Sequence, residues 1–503
     1  LMNQDNGGII GKVNTPTTSL ASGVWSLDSQ FDSQAASIWP LAFPNTTIAN
    51  SCRFNSGSSD YLSRTPSSAG NRNTWTWSGW IKKTIEASSN IYNHVLFGTA
   101  GSSYDTIGIQ TTPNEPYFFC NIAGSFERTL NAKFRDVSAW YHLVVAFDST
   151  QATASNRVKL YVNGVEQSSF SDNTNGSQNA DSYINSTDVH QIGRQQTLSR
   201  YLNGYLCEVN FVDGQALDQT SFGAFNPVTN IWEPIAYAGT YGTNGFRLDF
   251  ADSSALGNDV SGNDNDFTVN NLTSVDQSTD TCSNNFATFN SLDNTLSQFT
   301  FSQGNLIGSY SGSNGQGTGS TATFGLSQGK WYWELKYDSA NDTPLRVGIT
   351  DRVAVATSTT NRVGFGDNDF AYDQGDGKIY TDNDTGSSYG TSYAVGDIIG
   401  IALDLDNNKI YFSKNGTFQN SGNPAGNSNG FSITASSSIT NGFYFPVLSL
   451  NSGSGVAQVS YNFGSPPFSI SSGNADANGH GNFEYSVPSG FFSLCTKNLA
   501  EFG

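Results

Sequence analysis

Several residue types that signal particular chemistries are scarce in this 503-residue chain. Its five cysteines lie far apart and without a CxxC spacing, at Cys52, Cys120, Cys207, Cys282 and Cys495. This spacing excludes a zinc knuckle and a dense disulfide framework. We therefore interpret the cysteines as buried small hydrophobic residues.

Signatures of catalysis are equally sparse. The four histidines lack HExxH or any other metal-ligand spacing, and the one G-x-S-x-G match, at 426–430, lies in a Gly/Asn/Ser-rich stretch without a preceding buried strand or a following helix. Glutamates are dispersed, which disfavours glycan hydrolysis, since that reaction needs two carboxylates held close together. We predict structural roles for the histidines and no catalytic residue.

Long apolar runs and helix-forming stretches are also missing. No run approaches the roughly 18 to 20 residues of a membrane span, and the N-terminus lacks the basic and apolar regions of a signal peptide. No heptad pattern is sustained. We therefore expect no membrane insertion and no classical export, and we expect any oligomer to form through sandwich faces or terminal segments.

Charge is low in amount and acidic in balance. Charged residues make up 13% of the chain and the net charge is -19, which repels phosphate backbones and anionic lipid. Nucleic acids and membrane surfaces are therefore excluded as partners. The chain does contain 13% aromatic residues beside abundant Gly, Ser, Thr, Asn and Asp, a mixture typical of β-sandwiches.

The length exceeds the roughly 250 to 300 residues of a single core, so two or three domains are expected. Residues 1–45 contain too few apolar residues for a core of their own, and we predict that they form an attachment arm. A strand and turn that cap the first sandwich are the open alternative. The apolar anchors of the arm are Val24, Trp25, Leu27 and Trp39.

Residues 46–225 show short alternating runs between turn clusters, which predicts a β-sandwich. Asn163-Gly164 predicts a type I′ hairpin turn. The runs WTWSGWIK, WYHLVVAFD, RVKLYVNGVE, VHQIGR and LNGYLCEVNFVDGQAL resemble a laminin-G-like, concanavalin A-type jelly roll. The resemblance implies two stacked antiparallel sheets and a family that often binds glycans or proteins at rim loops. The predicted inner-face residues are Trp75, Trp77, Leu143, Val145, Phe147, Val158, Leu160 and Val162.

Residues 226–303 form an Asp/Asn/Gly-rich β segment that bridges the two modules. This bridge either adds strands to one sandwich or begins the second, and the sequence leaves both possibilities open. Residues 304–323 are rich in Gly and Ser and lack core-forming residues. They are predicted to be a flexible loop near a domain boundary.

Residues 324–465 contain GKWYWELKYDS and GIALDLDNNKIYFSKNG, which resemble a SPRY domain with Trp331 and Trp333 in its early strand. The resemblance implies a bent β-sandwich that acts as a protein-interaction platform through variable loops. Residues 466–503 are predicted to pack back on a domain. The expected fold is therefore all-β, with two antiparallel jelly-roll-like sandwiches and a short N-terminal attachment arm.

Calcium is the one cofactor that the sequence supports. Two groups of aspartates on turn-rich stretches offer hard oxygen ligands, although neither matches an EF-hand loop. Asp, Asn and Gly also gather simply because they make turns, which is the alternative. The two groups are Asp259, Asp264 and Asp266 in the bridge, and Asp367, Asp369, Asp373 and Asp376 in the second module.

Four tyrosines of the second module lie close together in its loop-rich part. Exposed aromatic rings stack on sugar rings, so we predict that these tyrosines bind a ligand. Tyrosine is also an ordinary strand residue, which is the alternative. The four are Tyr372, Tyr380, Tyr389 and Tyr393.

The order of the modules, the ending SLCTKNL and the opening VNTPTTSLASGVWSL resemble structural and fibre proteins of marine tailed phages. The resemblance implies a non-enzymatic protein on the outer surface of a virion, as a tail or head fibre or a capsid decoration. Such a protein is expected to form homo-oligomers and to contact host glycans or other virion proteins. The alternatives are a secreted or surface-bound bacterial adhesin and a polysaccharide depolymerase.

Overall fold

The computed structural model of the protein describes most of the chain after the first 45 residues. The predicted attachment arm, with Val24, Trp25, Leu27 and Trp39, lies outside the described residues. These are 46–84, 92–101, 103–112, 115–195, 200–227, 229–294, 299–312, 318–340, 345–352, 363–382, 384–450 and 455–503.

The first part of the chain is built from short strands joined by turns. They are β1 (Ser51–Phe54), β2 (Tyr61–Arg64), β3 (Thr74–Lys83), β4 (Tyr92–Ala100), β5 (Thr106–Thr112), β6 (Glu115–Ile122), β7 (Phe126–Leu130), β8 (Tyr141–Asp148), β9 (Val158–Val162), β10 (Val165–Glu166), β11 (Phe170–Thr174), β12 (Val189–Ile192), β13 (Arg194–Gln195), β14 (Arg200–Tyr201), β15 (Gly204–Asp213), β16 (Gly223–Phe225), β17 (Trp232–Pro234), β18 (Phe246–Leu248), β19 (Thr268–Asn270) and β20 (Gln277–Ser278).

Sixteen of these strands form two antiparallel sheets, and the other four form the separate pairs β13-β14 and β16-β17. Sheet A has the order β10-β9-β8-β3-β15-β1-β20, with β18 also paired to β15, and sheet B has the order β11-β7-β6-β5-β4-β12-β2-β19. One hydrophobic core contains side chains from both sheets, so the predicted sandwich is confirmed. Trp75 and Trp77 on β3 are fully buried in that core, and Trp75 stacks on Phe147 of β8 at 5.2 Å between ring centroids.

The outer face of sheet A is covered in part by residues 214–241. Thr76 on β3 donates its hydroxyl to the carbonyl of Gln215 and accepts from the N–H of Leu217, both at 2.7 Å. A small apolar cluster that includes Phe222 packs between this segment and the sheet. Sheet A is therefore buried on both faces over much of its area, which explains why every residue of β3 after Thr74 is buried.

The second part of the chain repeats the same architecture. Its elements are β21 (Phe289–Asn294), β22 (Phe299–Ser302), β23 (Ile307–Gly312), β24 (Thr318–Ala322), β25 (Lys330–Ala340), β26 (Leu345–Thr350), β27 (Phe370–Asp373), β28 (Lys378–Thr381), β29 (Thr385–Ser388), β30 (Ile398–Asp404), β31 (Lys409–Lys414), β32 (Thr417–Phe418), β33 (Phe431–Ser432), β34 (Phe445–Leu450), β35 (Gly455–Asn462), β36 (Phe492–Ser493) and the helix α1 (Thr496–Phe502).

Sheet C has the order β21-β24-β34-β26-β27-β28-β29, and sheet D has the order β22-β23-β35-β25-β30-β31-β32. In sheet D, β33 pairs with β31, and β36 returns from the C-terminal segment to pair in parallel with β25. Trp331 and Trp333 are fully buried in the second core. In the part of the chain that the structure describes, no helix is long and apolar enough to cross a membrane.

The bridge contributes strands to both sandwiches. Its first strand, β17, pairs with β16, and the next three, β18, β19 and β20, pair with β15, β2 and β1 of the first sandwich. Its later strands, β21 and β22, pair with β24 and β23 of the second. The two possibilities that the sequence left open are therefore both realised, at opposite ends of the same segment.

The described residues of the Gly/Ser-rich stretch, 304–312 and 318–323, do not form the loop that the composition of 304–323 predicted. They contain β23, which pairs with β22 and β35, and β24, which pairs with β21 and β34. Leu306 and Tyr310 are buried in the second core and anchor this stretch. Pairing on both sides together with two apolar anchors outweighs the weak strand propensity of Gly and Ser.

A buried polar seam joins the two sandwiches. Lys82 on β3 is fully buried and forms an ion pair of 2.6 Å with Asp280, which follows β20. The Arg53 guanidinium on β1 donates to the carbonyls of Val275 at 2.7 Å and Pro466 at 3.2 Å. Arg53 also donates to the side chain of Gln303, and the Tyr205 hydroxyl donates to the carbonyl of Gly304. We call all of these residues together the seam.

Candidate functional site

The first predicted calcium group is a closed turn. Asp259 accepts the N–H groups of Arg247 and Ser261, both at 2.8 Å, through one oxygen and the N–H of Asn265 at 2.9 Å through the other. Asp266 in turn accepts the N–H of Asp259 at 2.8 Å. Backbone donors therefore occupy the lone pairs that a cation would need. The first predicted calcium group consists of Asp259, Asp264 and Asp266.

The second predicted group is divided between separate roles. Asp369 is fully buried, accepts the N–H groups of Gly364 and Gly366, and pairs with Arg352 at 2.5 Å. Asp367, two residues earlier, is exposed. An anion in a cage of donors stabilises its own loop, so Asp369 organises the backbone between sheet strands.

The other two aspartates of that group pair with cations of the protein itself. Arg346, which is 1% exposed, forms an ion pair of 3.0 Å with Asp373, and its guanidinium lies 3.7 Å from the ring centroid of Tyr380. Asp376 pairs with Lys378 at 3.1 Å and accepts the Tyr380 hydroxyl at 2.9 Å. These residues therefore form a structural ion-pair network, and the Tyr380 ring packs against the Arg346 guanidinium.

Neither group is assembled as a metal site. Among the described residues, no three His, Cys, Asp or Glu side chains stand close enough together to hold a metal ion. The geometry thus does not support the calcium prediction. Backbone N–H groups or basic side chains already bond to most of these carboxylates, and the remaining two, Asp264 and Asp367, are exposed.

Three of the four predicted ligand-binding tyrosines are core residues, which corrects the prediction. Tyr372, Tyr389 and Tyr393 are at most 8% exposed and belong to the second hydrophobic core. The Tyr372 ring stacks on Phe412 at 5.1 Å, and its hydroxyl donates to a backbone carbonyl. Only Tyr380 of the four is partly exposed, and Arg346 covers one face of its ring.

A different site is present on the outer face of the first sandwich. A hollow of about 310 Å³ opens beside β8 and β9, next to the beginning of the covering segment 214–241. We call it the Tyr161 hollow. Its principal lining residues are Asp148, Asn156, Lys159, Tyr161, Leu217 and Asp218.

Tyr161 sits in the wall of this hollow with its ring buried. Its neighbours on β9, Leu160 and Val162, belong to the inner core, so strand alternation turns Tyr161 to the outer face. The residue is 5% exposed, and none of the described residues forms a hydrogen bond with its hydroxyl. Burial, reinforced by the negative charges of Glu166 and Asp218, raises the pKa of Tyr161 to about 12, so the hydroxyl keeps its proton.

Two carboxylates of the hollow are held in fixed positions by their own loops. Asp148 accepts the N–H of Thr150 at 3.0 Å and the side-chain amide of Gln151 at 2.6 Å. Asp218 accepts the N–H of Thr220 at 3.0 Å through Oδ1. No hydrogen bond to Asp218 Oδ2 occurs within the described ranges, so this oxygen is available to a ligand.

Sequence reasoning missed this site although the signal was present. The alternation that placed Val158, Leu160 and Val162 on the inner face also placed Lys159 and Tyr161 on the outer face. The signal was an aromatic residue, Tyr161, on the face of the strand that is expected to be exposed to water, close to the lysine at position 159. What the sequence does not reveal is that residues 216–218 return to the same place.

Comparison with known protein families agrees with the two-sandwich fold. The model of the concanavalin A-like lectin/glucanases superfamily matches residues 56–221. The model of the SPRY domain matches residues 330–464. The chain therefore contains a laminin-G-like, concanavalin A-like domain followed by a SPRY domain, as both sequence resemblances predicted.

Individual relatives cover only parts of the molecule. The E3 ubiquitin-protein ligase RKP of Arabidopsis thaliana is 30% identical over 142 residues, which are 28% of this chain and 10% of that protein. The solved SPRY domain of human HERC1 is 18% identical, covering 34% of this chain and 96% of that chain, with a TM-score of 0.27. The native heptameric SAP-like pentraxin from Limulus polyphemus is 15% identical, covering 41% and 90%, with a TM-score of 0.26. Likenesses at these values carry no argument about function.

Proposed function

We propose that this chain is a non-enzymatic surface component of a tailed-phage virion, a fibre or a capsid decoration, that contacts host glycans and neighbouring virion proteins. The seam is the observation that carries the proposal. It fixes two domains of kinds that generally bind other molecules into one body, through the buried guanidinium of Arg53 and the hydrogen bond from the Tyr205 hydroxyl to the carbonyl of Gly304. A particle component benefits from this rigidity, because repeated copies then present their contact surfaces at fixed spacing.

The order of the two modules and the likeness of both chain ends to phage structural proteins support the viral assignment. The acidic charge of -19 supports contact with neutral surfaces over phosphate-rich ones. Multiple copies would convert weak single contacts into firm attachment. We accordingly expect the chain to act as a homo-oligomer on the outer surface of the particle.

Chemistry in the Tyr161 hollow favours binding without cleavage. Glycan hydrolysis needs one carboxyl group that still carries its proton near neutral pH. Desolvation pushes the pKa of Asp148 upward, but hydrogen bonds from Thr150 and Gln151 outweigh it and leave the pKa below its usual value. Asp148 is therefore a hydrogen-bond acceptor and not a proton donor.

The test combines localisation with binding. Antibody against the SPRY domain should label the capsid or tail of purified particles in electron micrographs, and the full chain should bind intact host cells and release no reducing ends from their polysaccharide. Labelling confined to a bacterial cell surface would replace the virion with an adhesin. Release of reducing ends would overturn the non-enzymatic assignment.

A further inference from the structure

We propose that the Tyr161 hollow is a subsite for one neutral hexose unit of a glycan. This inference rests on the proposed function and deepens it, since it names the residues and the class of sugar. It concerns the outer face of sheet A and neither the rim loops of the first sandwich nor the loops of the SPRY domain.

The size of the hollow suits a single sugar unit. Its volume of about 310 Å³ lies at the lower end of the roughly 300 to 1,000 Å³ that ligand sites in proteins occupy. Ala146 and Leu217 supply an apolar part of the lining, and polar groups stand around it. A hexose has the same division, with C–H groups on its ring faces and hydroxyls around its rim.

The polar groups offer both kinds of hydrogen bond that sugar hydroxyls need. The carboxylates of Asp148 and Asp218 only accept, whereas the Tyr161 hydroxyl and the Asn156 side-chain amide both donate and accept. The Tyr161 hydroxyl is the most informative of these groups. It faces the open hollow and has no hydrogen-bond partner among the described residues, so a ligand hydroxyl would supply one in place of solvent.

Charge selects the kind of sugar. The hollow holds two carboxylates and one ammonium group, and that ammonium, on Lys159, is already paired with Glu166 at 3.0 Å. The surplus of negative charge repels uronic acids, sialic acids and sugar phosphates. Neutral hexoses meet no such repulsion, and their hydroxyls can donate to both carboxylates.

Saturation-transfer NMR on the full chain tests the proposal. The probes are the methyl glycosides of glucose, galactose, mannose and N-acetylglucosamine, with glucuronate as the anionic comparison. At least one neutral glycoside should receive saturation from the protein, and glucuronate should receive none. Transfer to glucuronate alone, or to none of the five probes, would overturn the subsite.

Two variants tie the signal to the hollow. Tyr161→Phe keeps the buried ring and removes the hydroxyl, and it should weaken binding about 5-fold, while Asp218→Asn should weaken it about 10-fold. The matched control is Tyr237→Phe, whose hydroxyl donates to the carbonyl of Thr240 outside the hollow and whose loss should leave the signal unchanged. Equal binding by Tyr161→Phe, Asp218→Asn and the unmodified chain would refute the assignment, with thermal melting used to verify that each variant is folded.

The same variants separate this inference from the proposed function. Suppose that the full chain binds host cells and that Tyr161→Phe binds them equally well when both are tested as monomers, without avidity. The proposed function then stands and the subsite is wrong. If the chain binds a neutral glycoside through the hollow but labels no particle, the subsite stands and the virion role is wrong.

Discussion

His142 on β8 is buried between hydrogen-bonding partners that fix its protonation state. Trp232 donates its indole N–H to Nδ1 at 3.1 Å, so Nδ1 carries no proton, and Nε2 lies 2.9 Å from the Ser78 hydroxyl. The neutral ring therefore has its proton on Nε2. Burial lowers the pKa of His142 to about 3, because a charged ring would be desolvated and would lose the bond from Trp232.

This histidine makes the first sandwich sensitive to acid. The folded pKa is about 3 and the unfolded value 6.5, so only the unfolded chain takes up a proton as pH falls through 6.5. Between pH 7 and 5 the folded state should lose about 2 kcal/mol through His142 alone. Asp105 acts in the opposite direction, because burial raises its pKa to about 6 and its contribution falls as pH rises toward that value.

The measurement compares the pH dependence of stability between variants. The opposite effect of Asp105 is the same in each variant and therefore cancels. Urea unfolding at pH 7 and pH 5 should show a smaller loss of stability for His142→Gln than for the unmodified chain. An unchanged dependence in His142→Gln would contradict the buried neutral ring.

Individual residues also show where sequence reasoning succeeds and where it stops. Alternation correctly placed Trp75 and Trp77 in the core, because the two tryptophans alternate with Thr74 and Thr76 at the start of β3. The ligand-binding prediction for Tyr372 rested on the loop-rich sequence around it, and it was wrong because all four residues of β27 are buried. The calcium prediction for Asp259 rested on the clustering of aspartates in the sequence, which does not reveal that backbone N–H groups of the turn bond to this carboxylate.

At the level of secondary-structure elements, two Asn-Gly hairpin turns set the register of the strands that they connect. Asn163 and Gly164 have φ of 47° and 80°, and Asn415 and Gly416 have φ of 49° and 79°. Positive φ at both central positions is the type I′ geometry that the Asn-Gly pairs predicted. Short-range turn chemistry is thus readable from sequence, whereas the pairing of the Gly/Ser-rich strands β23 and β24 depended on partners more than 100 residues away.

Gly164 carries a second constraint besides its backbone conformation. A Cβ atom at this position would lie 2.3 Å from the Trp232 ring, whereas a Cβ at Gly124, with φ of 60°, would meet nothing within 4 Å. Both substitutions to alanine should cost about 1 kcal/mol through positive φ. Gly164→Ala should cost a further 1 to 3 kcal/mol, roughly, because Trp232 must move.

Chemical denaturation of the two glycine variants checks this expectation. The midpoint should fall further for Gly164→Ala than for Gly124→Ala, with the slope unchanged in both. Equal midpoints would mean that Trp232 adapts without cost, which would contradict close packing of the hairpin against that ring.

For the whole molecule, the seam decides whether the two sandwiches behave as one. Arg53 is fully buried and contacts carbonyls from both sides of the boundary, at Val275 and Pro466. Removal of the guanidinium would leave these acceptors unsatisfied and open a cavity between the sandwiches. Coupling between the two cores should therefore depend on this residue.

Calorimetry of the full chain tests the coupling. The unmodified protein should unfold in one transition, and Arg53→Ala should unfold in two. Arg157→Ala is the matched control, because Arg157 is also buried but donates only to carbonyls of the first sandwich, at Gln151, Ala152 and Gly176. It should lower the transition temperature and preserve a single transition. Two transitions in the unmodified chain would contradict a coupling seam.

The contact between Arg53 and Pro466 joins residues that are 413 positions apart. At a synthesis rate of roughly 5 to 20 residues per second, Pro466 leaves the ribosome about 20 to 80 s after Arg53. For that interval the Arg53 guanidinium lacks its Pro466 acceptor, whereas the Lys82 ammonium can already pair with Asp280, which precedes Pro466 by 186 residues (466 minus 280). The Arg53 contact that couples the two sandwiches is therefore completed only after the first sandwich and most of the second have been synthesised.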